Sequence, residues 1–215
     1  WSGPGISGAN STVLNPQNIN LPGTYNLTVT NVANSCTNTD EVIITIDTLG
    51  PISVAGADLT LNCYNNHIDT LDANGSSTGA GFTLLWSGPG ITAATQNLPR
   101  PVVNQPGTYV LLITNTVNTC TATADALVVS DTIAPVADAG VNQIIDCANS
   151  SVPIGGNSSS GANINYHWTG PDINTSNEAL ATLNVAISGN YQLQVTNQTN
   201  GCSTLNDVDV AEDLN

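Results

Sequence analysis

Large apolar residues recur with the same two-residue phase in three stretches of the chain. Tyr25, Leu27 and Val29 fall on one side of a two-residue period, with Asn26 and Thr28 on the other; Tyr109, Leu111, Ile113 and Tyr191, Leu193, Val195 repeat the phase, opposite Val110 and Leu112 in one and Gln192 and Gln194 in the other. A period of two is that of a half-buried β-strand. A second alternating run follows each of these, with Val42, Ile44 and Ile46, then Ala126, Val128 and Ser130, then Val208 and Val210 on one face. Leu84 and Tyr166 each precede a tryptophan by two residues, so Trp86 and Trp168 are expected to point into a core rather than form an exposed sugar-stacking row. Short strands bounded by Gly, Pro, Asn and Ser clusters, without a helical period, predict an all-β sandwich.

The pattern is also periodic on a longer scale. Trp1-Ser-Gly-Pro-Gly returns as Trp86-Ser-Gly-Pro-Gly and as Trp168-Thr-Gly-Pro-Asp, followed by Tyr25, Tyr109 and Tyr191 and then by Cys36, Cys120 and Cys202. Self-similarity at a fixed spacing marks a repeated structural unit. The expected division is 1–49, the C-terminal part of a truncated repeat; 50–133, a complete repeat; and 134–215, a complete or nearly complete one. Gly88-Pro89-Gly90, Pro106-Gly107 and Ser188-Gly189 supply turns. The linkers Leu49-Gly50-Pro51 and Ile133-Ala134-Pro135 are short and stiffened by proline, which predicts modules in contact and an extended rod.

The five cysteines are ordered by the same register. It matches Cys63 with Cys120 and Cys147 with Cys202, one disulfide within each repeat, and leaves Cys36 with a partner outside the segment. Loops of this size would stabilise by about 4 kcal/mol each, and such pairing implies an oxidising compartment. No close Cys or His pairs of zinc-site spacing occur.

One Arg and no Lys against 16 acidic residues give a net charge of −15, which excludes nucleic acid and anionic membrane surfaces as partners. No apolar run is long enough for direct membrane insertion as a helix. The absence of Lys also rules out Lys–Asn isopeptide cross-links within the segment. His67 and His167 do not recur between repeats and have no recognisable nucleophile or paired carboxylates, so no catalytic residues and no enzyme activity are expected. Acidic residues recur at the repeat junctions; Asp47, Asp58, Asp131 and Asp138 are the candidate ligands for a structural Ca²⁺ there, and no other cofactor is expected.

Gly23-Thr24-Tyr25 followed by Leu27-Thr-Val-Thr-Asn31 and a later Cys resembles PKD and related Ig-like modules. With Ala55-Gly-Ala-Asp58 before Cys63 and Trp86-Ser-Gly-Pro after it, the ordered string is similar to tandem repeats of very large Bacteroidetes cell-surface adhesins of the gliding-motility type. On the Ig template, a strand ending at Cys63, the Trp strand, the Tyr strand and the last strand fit positions B, C, F and G. Cys120 then lies near the F–G turn, and the staple is expected at the end of the sandwich. The resemblance implies an extracellular, cell-surface location and a non-enzymatic stalk or filament that spaces a distal binding end from the cell. Its partners would be neighbouring repeats, other copies in a filament, or surface glycans. Asp47-Thr48-Leu49, Asp69-Thr70-Leu71 and Asp131-Thr132-Ile133 resemble the Bacteroidetes Asp-Ser/Thr-aliphatic sequon, making Thr48, Thr70 and Thr132 O-glycosylation candidates. Two other roles stay open: glycan or protein binding through loops such as 76–79 and 158–161, and accessory spacing in a secreted hydrolase.

Overall fold

The structure, a computed structural model, describes residues 1–156 and 158–213. All regular structure among them is β. The chain divides into two compact units, one of Trp1–Gly50 with Asn115–Cys120, the other of Pro51–Thr114 and the chain from Thr121 onward.

The first unit is built on an antiparallel hairpin of β1 (Gly23–Thr30) and β2 (Thr37–Ile44), in register from Gly23↔Ile44 to Thr30↔Thr37. Tyr25 is buried, but Val29, Val42 and Ile43 are exposed and Trp1 is half-buried. The alternation is the same as in the later repeats. What differs is that, among the described residues, no second sheet lies over this hairpin.

The second unit holds two β-sandwiches that match strand for strand. In the first, β3 (Leu59–Leu61), β5 (Phe82–Ser87), β7 (Gly107–Asn115) and β8 (Thr121–Ser130) form a sheet in the order β3-β8-β7-β5, and β4 (Asp69–Thr70) pairs with β6 (Val102–Val103). In the other, β9 (Gln143–Ile145), β11 (Ile164–Thr169), β13 (Gly189–Asn197) and β14 (Ser203–Glu212) lie in the order β11-β13-β14-β9, and β10 (Val152–Ile154) pairs with β12 (Leu183–Val185). The inward-facing residues of both sheets make one core per sandwich. Trp86, Leu71, Val103, Tyr109, Leu111, Ile113 and Val128 fill one; Trp168, Ile154, Val185, Tyr191, Leu193, Val195 and Val208 fill the other. These are Ig-like β-sandwiches, the all-β sandwich architecture being what the alternation predicts and the Ig-like form what the resemblance implies, and both tryptophans belong to the core.

One strand differs from the template reading. The short strand before Cys63 does not occupy position B; it pairs in parallel with the last strand, Leu59↔Val128 to Leu61↔Ser130, and β9 does the same with β14. It is an edge strand that enters alongside the strand that leaves.

The repeated Trp-Ser-Gly-Pro and Pro-Gly-Thr-Tyr strings fit into each other. A Cβ at Gly88 would lie 2.5 Å from the Tyr109 ring, and one at Gly107 would lie 2.7 Å from the Pro89 ring. The Tyr109 hydroxyl sits 2.7 Å from the Pro89 carbonyl and 2.8 Å from that of Gln105. Gly170 and Gly189 meet Tyr191 and Pro171 in the same way, and Gly3 and Gly23 meet Tyr25 and Pro4 in the first repeat. Glycine is needed because both neighbours close on the space a side chain would take, at φ of +150° and +147° for Gly88 and Gly107. Burial pushes the Tyr109 and Tyr191 hydroxyls above the ordinary tyrosine range, with the Asp172 charge adding to the effect at Tyr191.

Replacing Gly88 or Gly170 by Ala is expected to destabilise the sandwich that contains it by about 1–3 kcal/mol, the usual cost of overpacking. Gly8→Ala, where nothing lies within 4 Å, should be silent. Urea denaturation followed by tryptophan fluorescence measures both.

Candidate functional site

The most heavily built polar site lies where the two sandwiches of the second unit meet. Parallel pairing with β8 carries β3 to the exit end of its sandwich, where Asp131 N–H donates to Leu61 O at 2.9 Å. Cys63 and Tyr64 follow directly. The β13–β14 hairpin of the next sandwich comes to this end and presents Gln198, Asn200, Gly201 and Cys202. Four kinds of contact join them. Cys63 and Cys202 form a disulfide with Cα atoms 5.0 Å apart. Cys63 N–H donates to Asn200 O at 2.9 Å, and the Tyr64 hydroxyl donates to Gln198 O at 3.0 Å. The Asn200 amide donates to Asp131 Oδ1 at 2.8 Å and to Ile133 O at 3.0 Å, while its own Oδ1 accepts from Cys202 N–H at 2.9 Å. Asn200 is fully buried, so each of these bonds satisfies a group that would otherwise be costly to bury.

The expected pairings Cys63–Cys120 and Cys147–Cys202 are therefore corrected. The bond runs between repeats, from Cys63 to Cys202, and Cys36, Cys120 and Cys147 are free. Strand geometry explains why. Cys63 follows the strand end paired with Ser130, whereas Cys120 precedes Thr121 at the other end of the ten-residue β8. At ~3.3 Å per residue those ends are about 30 Å apart, and a disulfide needs Cα atoms within about 7 Å. Cys147, beyond the Ile145↔Glu212 pair, and Cys202, before Ser203, are separated by the full length of β14 in the same way.

Gly201 shows how closely the hairpin is fitted. It has a left-handed φ of +74°, and a Cβ on it would lie 2.7 Å from the Tyr64 ring. The hairpin itself is common to all three repeats. Asn31, Asn115 and Asn197 each donate N–H to the carbonyl of the late cysteine at 2.8 Å, and Asn34, Asn118 and Asn200 each accept from the cysteine N–H. In the first unit Asn118 repeats the linker contact, donating to Leu49 O at 3.0 Å as Asn200 does to Ile133 O. The asparagine two residues before each late cysteine is visible in the sequence as Asn-x-Cys; its alignment with the cysteines is the signal that would have found it.

Each of the candidate calcium ligands accepts hydrogen bonds from its own surroundings. Among the described residues no group of three or more His, Cys, Asp or Glu side chains is placed to hold a metal. Asp131 accepts from Asn200, Asp47 from Leu49 N–H, and Asp58 from Leu127 N–H at 2.8 Å. The counterpart of Asp58 in the next repeat is Asn142, which accepts from Asp209 N–H at 3.0 Å, so the position needs an acceptor oxygen and not a charge. Asp138 organises its own loop. Backbone N–H groups of Gly140 and Ser158 donate to its carboxylate and hold its pKa below the ordinary aspartate value.

The remaining candidates lie apart. Thr48 and Thr132 are exposed on linkers, whereas Thr70 is half-buried in β4, paired with Val102. His67 Nε2 is 3.6 Å from Cys63 Sγ, a sulfur already committed to the disulfide, and His167 sits on β11. The serine loops are partly structural. Ser76 Oγ bonds to both backbone groups of Val54, and Ser159 Oγ accepts from Asp138 N–H, so each loop fastens the segment entering its own sandwich.

No protein-family model matches the sequence, and neither does any curated protein compared with it. Among solved structures, the chain is similar to the I-band fragment I67–I69 from titin, at 18% identity over 78% of this chain with a TM-score of 0.42. It spans 65% of that fragment's length. It is also similar to extracellular domains 3–5 of Drosophila OTK, at 12% identity, 89% of this chain, 71% of that one and a TM-score of 0.38. The N-terminal eight Ig domains of Down Syndrome Cell Adhesion Molecule match at 12% identity, 90% of this chain, 27% of that one and a TM-score of 0.42.

Non-reducing peptide mapping is expected to recover Cys63 joined to Cys202, and reduction should split one thermal transition of the second unit into two. Recovery of Cys63–Cys120 would overturn the joint.

The Asp138 carboxyl has a depressed folded pKa, so its contribution to stability is present above the unfolded value near 3.9 and is lost as pH falls through the folded one. Asp138→Asn is expected to reduce the acid sensitivity of the thermal midpoint below about pH 4, measured by calorimetry across pH 2–6.

Proposed function

We propose that the chain is a non-enzymatic spacer, the stalk or repeat region of a large secreted cell-surface adhesin or filament that holds a distal binding end away from the cell. The observation that supports it is the joint. The exit end of one sandwich meets the entry hairpin of the next, and the contact is closed by a disulfide and a buried asparagine. A repeat whose best-made polar site is spent on its neighbour is suited to building length. In this reading the modules divide near residues 49–50 and 133–134, and the disulfide supports an oxidising, extracellular setting. The exposed linker threonines Thr48 and Thr132 are the positions best suited to O-glycosylation, with Thr70 disfavoured by its pairing in β4. The Bacteroidetes origin and the link to gliding rest on the sequence resemblance alone.

The test is small-angle scattering of the oxidised chain. A single globule of this length would have a radius of gyration of about 17 Å; an extended array should exceed that by half or more. A value near the globular figure would sink the spacer reading.

A further inference from the structure

We propose that the exposed end carrying Cys147 is a second joint of the same kind, a docking and cross-linking site for the Asn-x-Cys hairpin of a further repeat of this type. Its occupant is chemically defined by the joint already formed at Cys63. The inference goes beyond the spacer role, which would stand if it failed.

The two ends match group by group. Leu61 O accepts from Asp131 N–H at 2.9 Å, and Ile145 O accepts from Asp213 N–H at 2.9 Å. Asn62 Oδ1 accepts from the N–H groups of Tyr64 and Asn65; Asp146 Oδ1 accepts from those of Ala148 and Asn149. Each end lies beyond a short strand paired in parallel with the last strand of its sandwich. Cys147 thus stands where Cys63 stands, exposed and free.

The hairpin that would fill it is also present. Asn31 to Cys36 has the closing bond, the asparagine acceptor and the left-handed residue of the hairpin that holds Cys202: Asn31 N–H to Cys36 O at 2.8 Å, Cys36 N–H to Asn34 Oδ1 at 3.0 Å, and Ser35 at φ +62°. Asn118-Thr119-Cys120 is built likewise, with Thr119 at φ +61°. Cys36 is exposed and free, and Cys120 is free and half-exposed.

One difference between the ends is complementary to the difference between the hairpins. Tyr64 covers Gly201 so closely that no side chain fits there. At the Cys147 end the position of Tyr64 is taken by Ala148, which is exposed and leaves room for Ser35 or Thr119. Tyrosine goes with glycine in the joint that is closed, and the exposed alanine stands at the end where the serine or threonine of the other two hairpins would fit.

The chemistry is thiol–disulfide exchange with a small disulfide oxidant such as oxidised glutathione. The Cys147 thiolate attacks a glutathione sulfur, forming a mixed disulfide and releasing one glutathione thiolate. The thiolate of the incoming cysteine then attacks the Cys147 sulfur and releases the second. Two protein thiols are oxidised, one glutathione disulfide is reduced to two thiols, and the two protons pass to the released thiolates.

The experiment uses the whole chain in a glutathione redox buffer, with a second copy as the probe, read by non-reducing electrophoresis and peptide mapping. The expected product is a ladder beyond the dimer, with Cys147 joined to Cys36 or Cys120 at least tenfold over Cys147–Cys147, and with Cys63–Cys202 intact. Cys147→Ser should abolish these Cys147-linked products. Ala148→Tyr should lower their yield at least fivefold, and Ser35→Gly added to it should restore the bond at Cys36 but not at Cys120. Symmetric Cys147–Cys147 dimers, a statistical mixture of pairings, persistent monomer, or indifference to Ala148→Tyr would each overturn the proposal.

Discussion

The packing of a tyrosine ring on a glycine is the contact on which each module depends. Gly88 ends the tryptophan strand and Tyr109 lies near the start of β7, so closure of the ring over that glycine sets where the two strands meet. Pro89 closing over Gly107 locks the same crossing from the other side. With that crossing fixed, Leu111 and Ile113 fall on the tryptophan face by the two-residue period alone, and the core follows. Neither glycine can be explained by turn conformation alone. Each is required by a ring supplied from about twenty residues away.

Parallel pairing of the short edge strand with the last strand has the larger consequence for function. It directs the early cysteine towards the exit of the sandwich, while the hairpin bearing the late cysteine lies at the entry. Two cysteines of one repeat are then held apart by a full strand length, and two cysteines of successive repeats are brought together. The placement of β3, not the number of cysteines, decides that the bond joins modules.

The fold was largely legible in the sequence because burial in a sandwich leaves a period of two, and the repeat shows it more than once. Tyr191, Leu193 and Val195 are all fully buried, as alternation requires. The indoles were legible for the same reason, although Trp86 Nε1 is buried without an acceptor among the described residues where Trp168 Nε1 donates to Leu180 O at 3.0 Å. The disulfide partner was not legible. Register pairs positions modulo the repeat, so Cys63 with Cys120 and Cys63 with Cys202 are equivalent until the direction of β3 is known. A three-residue strand, Leu-Thr-Leu, carries no signal for parallel against antiparallel pairing. The recurring carboxylates have a local structural role of their own. Asp recurs at the junctions because strand ends and linkers need acceptors for backbone and asparagine N–H groups, and that recurrence resembles a ligand set.

A disulfide placed between modules does different work from one placed within them. A staple inside a sandwich restricts the unfolded chain of that sandwich and adds to its stability. The Cys63–Cys202 bond closes a loop of 139 residues that spans most of both sandwiches, so it restricts their shared unfolded chain, by about 5 kcal/mol on the loop-entropy scale, and fixes the joint as well. The joint needs it: its other contacts are a handful of hydrogen bonds, each worth about 1 kcal/mol net, around one buried asparagine. A net charge of −15 adds repulsion between acidic surfaces that only salt would screen. A covalent link keeps the Asn200 contacts at high effective concentration even when they open, so they re-form without a new encounter. Weak polar contacts can then define the geometry of the joint while the sulfur bridge makes it permanent, and the repeat needs only one early and one late cysteine to carry that arrangement along an array.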